Sequence, residues 1–177
     1  MFRIPRLNTI RWSWKGAAKG FGMCGLHVVN IACAIHLCTE FVWRVSPMEG
    51  PSMIPTLGVS GEYVLENRFT PRFFPDRIKR GDLIVLKSPI MPERIVCKRI
   101  LGLPGDIVCV DPTGEYAPST EHVVVPRGHM WISGDNAPLS RDSRVYGPVS
   151  MSLIESKLLL RIYPNFTIFK NPLTYID

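Results

Sequence analysis

No aspartate or glutamate precedes Glu40 in this chain of 177 residues. The same stretch supplies most of the net charge of +6 through five basic residues: Arg3, Arg6, Arg11, Lys15 and Lys19. The remainder is close to neutral, because the other 16 of the 21 basic residues are set against all 15 acidic ones. The positive charge therefore belongs to a short leader rather than to a basic face, and nucleic acid is not predicted as a partner.

Cysteine is scarce, and its spacing suits neither a disulfide framework nor a zinc site. The five cysteines form no CxxC pair, and three of them fall in an apolar stretch: Cys24, Cys33 and Cys38. The polar loop at 132–148 could be interpreted as a calcium-binding loop. However, it lacks the alternating carboxylates and the terminal glutamate of an EF-hand. No metal or cofactor is predicted.

Histidine is equally scarce, and only His122 and His129 lie outside the apolar stretch. A Ser-His-Asp hydrolase needs a histidine beside its nucleophile, whereas both of these are typical of strand ends. Cys97 is an alternative nucleophile, but it falls inside an apparent strand rather than on an exposed turn. Neither class of hydrolase is favoured.

The apolar stretch is long enough to cross a bilayer. Ala17 to Cys38 contains no Asp, Glu or Arg, and at about 1.5 Å per residue it spans roughly 30 Å of hydrocarbon. We therefore expect a basic leader at 1–16, a transmembrane helix at 17–43 and one catalytic domain at 44–177. A cleaved mitochondrial transit peptide is the alternative for this acid-free N-terminus.

The region after the apolar stretch is mainly β. Short apolar runs are separated by Gly, Pro and Asp, and they lie at 82–86, 94–100, 106–110, 122–125, 129–132 and 158–163. Strands this short and frequent favour an antiparallel sheet or a barrel-like domain.

Two segments carry a candidate nucleophile and a candidate base. Ser52 lies between Pro51 and Pro55, which bias the local backbone away from helix and hold the hydroxyl in a rigid segment. Lys98 lies in an apparent strand between Val96 and Ile100, which share its face. Burial there would lower the pKa of the lysine, so that it could act as a general base without histidine. The alternative is a lysine that extends along an edge strand, with Arg99 on the other face.

Four segments in this order resemble the signal peptidase I family of Ser-Lys proteases. They lie at 50–56, 79–85, 98–106 and 134–144, and the resemblance extends over 49–164. Softer features at 87–89, 97, 125–131 and 146–148 resemble the subunit 1 group of the mitochondrial inner membrane proteases. The resemblance implies a signal-peptidase-like coiled antiparallel β domain that follows one N-terminal transmembrane helix.

The resemblance also implies a role for each matching residue. Ser52 would be the acylating nucleophile, Lys98 the general base and Ser140 the hydroxyl that orients the lysine. The expected supporting residues are Asp142, Arg144, Gly134, Asp135 and Asn136. The expected substrate-binding residues are Met53, Leu57, Val96 and Cys97. Some family members add an oxyanion hydroxyl two positions before the nucleophile, where this chain has Gly50.

The implied substrates are membrane-tethered precursor proteins, cleaved at the mitochondrial inner membrane by a single-pass enzyme whose catalytic domain faces the intermembrane space. The implied partners are the lipid bilayer and a second inner membrane protease subunit. Two alternatives remain open at this point. One is a non-mitochondrial type I signal peptidase, and the other is an inactive membrane-anchored β domain that binds peptides by strand addition.

Overall fold

A computed structural model describes residues 14–115 and 117–170, with side chains from residue 23 onward. The predicted leader at 1–16 lies outside the described residues except for its last three positions. The chain divides into two compact units, at residues 1–38 and 39–177.

The N-terminal element is one long helix, α1 (Trp14–Phe41). Within it, Met23–Phe41 is long and apolar enough to cross a membrane, and none of that window is buried inside the protein. Its large side chains, such as Leu26 and Ile31, are more than half exposed. Such a helix suits a hydrocarbon environment better than water. The helix ends before Trp43, which already belongs to the first strand.

The rest of the described chain is mainly β, as predicted. Two short helices, α2 (Phe69–Phe73) and α3 (Ser143–Tyr146), interrupt the strands. The strands are β1 (Trp43–Met48), β2 (Glu62–Asn67), β3 (Leu83–Lys87), β4 (Ile95–Gly102), β5 (Ile107–Cys109), β6 (His122–Val124), β7 (His129–Ser133), β8 (Val149–Ser150), β9 (Ile154–Tyr163) and β10 (Thr167–Ile168).

All strand pairs of the described residues are antiparallel. The main sheet has the order β1-β2-β9-β3-β4-β7-β8, with β10 on β9, and β5 pairs with β6 in a separate hairpin. Register shifts interrupt the pairings of β9 with β2 and β3 and of β4 with β7. Such bulges bend strands and increase their twist, which accounts for a curled rather than a flat sheet.

Strand β3 separates two hydrophobic cores. Ile84 and Leu86 point into one core with Ile100, whereas Leu83 and Val85 point into the other. Both faces of β3 are therefore buried, which explains its continuous apolar run. The second core also holds Met53 and Leu57, which follow the candidate nucleophile in the chain. Burial of each of these side chains contributes about 1.5–3 kcal/mol, so this core anchors that segment.

Candidate active site

Ser52 lies in a single 3-10 turn, Pro51–Met53, and is half-buried. Gly50 precedes the turn with φ of 116°, a backbone conformation that favours glycine, and its N–H donates to the carbonyl of Val59 at 2.7 Å. Met53, only 2% exposed, anchors the other end. The turn is therefore fixed on both sides of the serine.

The loop at 134–136 holds the same turn from outside. The backbone N–H of Asn136 donates to the Ser52 carbonyl at 3.0 Å, and its side-chain amide donates to the Pro51 carbonyl at 3.0 Å. A Cβ atom at Gly134 would lie 2.5 Å from the Ser52 carbonyl oxygen and 2.3 Å from Oγ of Ser140. Only glycine fits this close approach.

Lys98 occupies a buried position in β4 and is 4% exposed. It lies opposite Ile84 of β3, whose side chain is fully buried. Burial lowers the pKa of Lys98 from its ordinary value, the Asp142 carboxylate partly opposes this shift, and the Arg144 guanidinium adds to it. The neutral amine, which is the form that can accept a proton, is therefore easier to reach at Lys98 than at an exposed lysine.

Asp142 is a fully buried carboxylate that joins the polar loop into one network. It accepts hydrogen bonds from Oγ of Ser140 at 2.7 Å and from the N–H of Gly134 at 2.9 Å. Arg144 binds both carboxylate oxygens, each at 2.9 Å. Burial on its own would raise the pKa of Asp142, but the hydrogen bonds from Arg144, Gly134 and Ser140 outweigh it, and the pKa falls. Asp142 is therefore ionised at neutral pH.

A second ion pair, between Arg99 and Asp135, joins the strand of Lys98 to the loop. The guanidinium binds the two carboxylate oxygens at 2.7 and 2.6 Å and donates to the Gly81 carbonyl at 2.9 Å. Thr56, four residues after the candidate nucleophile, also donates to Asp135. Sequence reasoning assigned no function to Arg99 or Thr56. The available signal was an arginine next to the candidate lysine, on the opposite face of the strand and within reach of an aspartate.

The structure brings the candidate nucleophile and base into neighbouring elements. The 3-10 turn of Ser52 contacts both β4 and the turn at 137–139. Among the described residues, no hydrogen bond joins Oγ of Ser52 to Nζ of Lys98, and the Ser140 hydroxyl donates to Asp142 instead. Catalytic hydrogen bonds often tighten only when substrate is bound. The assigned roles of these residues stay predictions.

A groove of about 510 Å³ opens beside Ser52. The four predicted substrate-binding residues all line it: Met53, Leu57, Val96 and Cys97. Glu66, which sequence reasoning did not single out, lines it as well. The groove is therefore apolar over much of its wall and contains one deeply buried carboxylate.

Lys98 lines a different cavity, a cleft of about 180 Å³. Its neighbours there include Ser88, Arg94, Arg141 and Tyr146. Val96 lines both cavities. Ser52 and Lys98 thus line different cavities, and Val96 separates the two.

Cys97 is not a suitable nucleophile. Burial raises the pKa of its thiol to about 12. The Lys98 and Arg99 cations oppose this shift, and the Asp135 and Glu66 carboxylates add to it. A thiol with this pKa is protonated at neutral pH and cannot attack as a thiolate.

The sequence matches the family model described as signal peptidase, peptidase S26, over residues 23–114 and 111–163. The chain belongs to the signal peptidase S26 family. The family resemblance seen in the sequence is therefore confirmed, and with it the assignment as a serine endopeptidase of the signal peptidase I type. A serine-lysine dyad is typical of this family.

Several proteins similar to this S26 protein are named as subunits of mitochondrial inner membrane proteases. It is 42% identical to mitochondrial inner membrane protease subunit 1 of Schizosaccharomyces pombe, over 85% of this chain and 92% of that protein. It is 40% identical to the ATP-independent inner membrane protease subunit 1a of Arabidopsis thaliana, over 85% and 89%. The human subunit 1 is 37% identical over 82% and 84%. A signal peptidase I crystal structure from Enterococcus faecalis V583 matches with a TM-score of 0.36 and 25% identity, over 45% of this chain and 95% of that one.

Proposed function

We propose that this S26 peptidase is anchored in the mitochondrial inner membrane and removes targeting or sorting presequences from precursor proteins, with Ser52 as nucleophile and Lys98 as general base. The observation that carries the assignment of roles is the buried Lys98, whose environment favours the neutral amine, in the strand that the Ser52 turn contacts. The names of the relatives supply the compartment.

The chemistry follows from these two groups. Neutral Lys98 takes the proton of the Ser52 hydroxyl as its oxygen attacks the scissile carbonyl, and then gives that proton to the departing amine. Water next attacks the acyl-enzyme and loses a proton to Lys98. The bond to Ser52 breaks, and the serine recovers its proton. Backbone donors at the oxyanion position stabilise each tetrahedral intermediate, in a role where loss of one donor costs about a hundredfold or more in rate.

The polar loop serves this chemistry by holding both participants. Asn136 binds the turn that presents Ser52, and Arg99 links β4 to Asp135 in the same loop. Asp142, with Arg144 and Ser140, supplies a fixed negative charge near Lys98. Such preorganisation keeps the reacting groups in place without reorganisation at each turnover.

The membrane arrangement is part of the same proposal. A single pass through α1 would leave the basic leader on the matrix side and the catalytic domain in the intermembrane space, in line with the excess of positive charge before the span. A second protease subunit is the expected partner, since a relative 33% identical to this chain is named inner membrane protease subunit 2 in Saccharomyces cerevisiae.

The first experiment compares detergent-solubilised wild type, Ser52→Ala and Lys98→Met on fluorescent precursor peptides across pH. We expect both variants to lose turnover while still folding. The wild-type rate should rise with pH as Lys98 deprotonates, below the ordinary lysine pKa of 10.5. Ser60→Ala and Lys79→Met change an exposed serine and an exposed lysine and serve as matched controls. Wild-type turnover in Ser52→Ala would refute Ser52 as the nucleophile and with it the proposed mechanism.

A further inference from the structure

Glu66 is a buried charge in the wall of the substrate groove. It lies in β2, is 5% exposed and lines the cavity that also contains Ser52. Its side chain is held by the neighbouring strand β9, because Ser156 Oγ donates to it, whereas its backbone partner in that strand is Leu158. The groove therefore has a deeply buried carboxylate in a wall that carries apolar side chains, such as Val85 and Val96, as well as charged ones, Arg44, Arg68 and Glu155.

This carboxylate is only partly satisfied. Ser156 Oγ donates to its Oε2 at 2.7 Å. No other residue in the described part of the chain donates a hydrogen bond to Glu66 or forms an ion pair with it. A carboxylate can accept about four hydrogen bonds, and an incompletely paired charge is costly to bury. Glu62, on the same face of β2, pairs with Arg161 through Oε1 at 2.8 Å, and its Oε2 is the one buried side-chain oxygen among the described residues without a hydrogen-bond partner. The second oxygen of Glu66 is not buried in this way and keeps access to solvent.

Among the described residues, neither Arg68 nor Arg44, the two cations that line the groove, forms an ion pair with Glu66. Arg68 pairs with Glu40 at 3.3 Å and with Glu155 at 3.2 Å. Arg44 lies opposite Glu66 in the β1–β2 register, but it is exposed and forms no ion pair with Glu66. Glu66 can therefore accept further hydrogen bonds from a molecule that is bound in the groove.

The position of Glu66 indicates which part of a substrate it meets. Ser52 contacts β4, and two strands, β9 and β3, separate β4 from β2 in the sheet. At about 4.8 Å between strands this is roughly 14 Å of sheet, shortened by curling, whereas an extended peptide rises about 3.3 Å per residue. A substrate side chain at Glu66 therefore lies some residues away from the scissile bond.

We propose that Glu66 is a specificity-determining residue, which accepts a hydrogen bond from an N–H or O–H group on a substrate side chain upstream of the scissile bond. This inference rests on the proposed function of the same groove. Substrates with an amide, hydroxyl or amine at that position are favoured over apolar isosteres, which leave the carboxylate unpaired, and over acidic residues, which repel it.

The test uses the full chain in detergent and peptides that differ in one residue. Gln/Glu and Thr/Val pairs are placed in turn at each of the five positions before the cleavage site. At one position we expect kcat/KM to favour Gln over Glu and Thr over Val by about tenfold to a hundredfold, as for hydrogen bonds to charged groups. A peptide with lysine at that position shows, from its kcat/KM, whether a cationic donor is preferred over the neutral donors Gln and Thr.

Two variants assign the preference to Glu66. Glu66→Gln keeps the shape of the side chain and an acceptor for Ser156, and it should bring the Gln/Glu ratio close to one. Glu155→Gln, a more exposed carboxylate of the same groove with partners in Arg68 and Lys87, should keep the wild-type ratio. Equal loss of the preference in both variants would show a general field effect and overturn the role of Glu66.

The outcomes separate this inference from the function on which it rests. Cleavage that survives Ser52→Ala would refute the proposed mechanism itself. Cleavage that depends on Ser52 but shows no donor preference at any of the five positions would overturn the role of Glu66 alone. Thermal melts check that Glu66→Gln folds. If it does not, Glu66→Asp keeps the charge but draws the carboxylate back by one methylene and should weaken the donor preference, and an unchanged ratio in that variant would overturn the role of Glu66.

Discussion

At the residue scale, the site contains two buried ionisable side chains, Lys98 and Asp142, whose surroundings shift their pKa values. Lys98 is held where its neutral form is favoured, and Asp142 is held where its ionised form is favoured. Burial alone would favour the neutral form of both groups. Lys98 follows that direction, whereas the hydrogen bonds from Arg144, Gly134 and Ser140 keep Asp142 ionised against it. A neutral base next to a fixed carboxylate is the arrangement that serine-lysine chemistry requires at neutral pH.

The lowered pKa of Lys98 also predicts a pH-dependent stability. Between the lowered pKa and 10.5 the unfolded chain binds a proton that the folded protein has released, so wild-type stability rises with pH across this window. Lys98→Met removes the cost of burying the charge. We expect its advantage in Tm over wild type to be largest below the window and to shrink as pH approaches 10.5.

Thermal melts of purified protein from pH 6 to pH 10.5 measure this difference. Lys79→Met, at an exposed lysine, is the control and should follow the wild type at every pH. A Tm difference for Lys98→Met that stays constant with pH would show that Lys98 is not desolvated in the folded state.

The sequence predicted the polar residues that share a local motif but not those that meet across strands. Ser52, Lys98 and Asp142 stand in segments whose residue order can be recognised. Arg99 and Glu66 acquire their environments from the pairing of β4 and β2 with distant strands, which depends on register. Register is a tertiary property, and a one-residue slip reverses every side chain of a strand.

At the scale of elements, strands β1 and β2 were not among the predicted runs, whereas the six runs that were predicted all contain strands. In β2 the buried positions alternate as Glu62, Val64 and Glu66, with Tyr63 exposed. The usual alternation of apolar inside and polar outside is therefore inverted at both glutamates. A pattern-based prediction fails here because buried ion pairing and groove lining override hydrophobic periodicity.

The contact between the Ser52 turn and the loop at 134–136 gives the clearest prediction for an element. Gly134→Ala places a methyl group against backbone at the Ser52 carbonyl as well as against Ser140. We expect a loss of about 1–3 kcal/mol in stability from overpacking. Turnover should fall further than stability alone explains, because the loop moves relative to the nucleophile.

Denaturant melts and peptide cleavage measured side by side check this result. Gly25→Ala, where nothing lies within 4 Å, is the control and should leave cleavage unchanged. Normal turnover in a destabilised Gly134→Ala protein would show that the loop contributes to folding but not to the position of Ser52.

At the scale of the whole molecule, the chain consists of an apolar helix that is long enough to cross a membrane and a β unit that carries the candidate site. The helix carries no acidic or basic residue between Met23 and Thr39, and the β unit contains both cores and every residue of the candidate site. Under the proposed anchoring, enzyme and precursor share one membrane, which raises the concentration of cleavage sites near the groove.

Anchoring therefore predicts a preference for tethered substrates. In vesicles that contain the full chain, a precursor peptide joined to a membrane span should be cleaved at least about tenfold faster than the same peptide free in solution at equal bulk concentration. The advantage should disappear in detergent at high dilution, where enzyme and substrate occupy separate micelles. Equal rates for tethered and free peptide in vesicles would contradict a contribution from the anchor.

The cleft beside Lys98 has a pharmacological consequence. Because Lys98 and Ser88 line a cavity of about 180 Å³ and Ser52 lines the larger groove, a small molecule bound in the smaller cavity would contact Lys98 without filling the peptide groove. Such a compound would act as a noncompetitive inhibitor, lowering kcat while leaving KM unchanged. An amine-reactive group on it would modify Lys98 in its neutral, nucleophilic form. The groove beside Ser52 and the cleft beside Lys98, which share Val96, would therefore be two different binding sites for inhibitors of one enzyme.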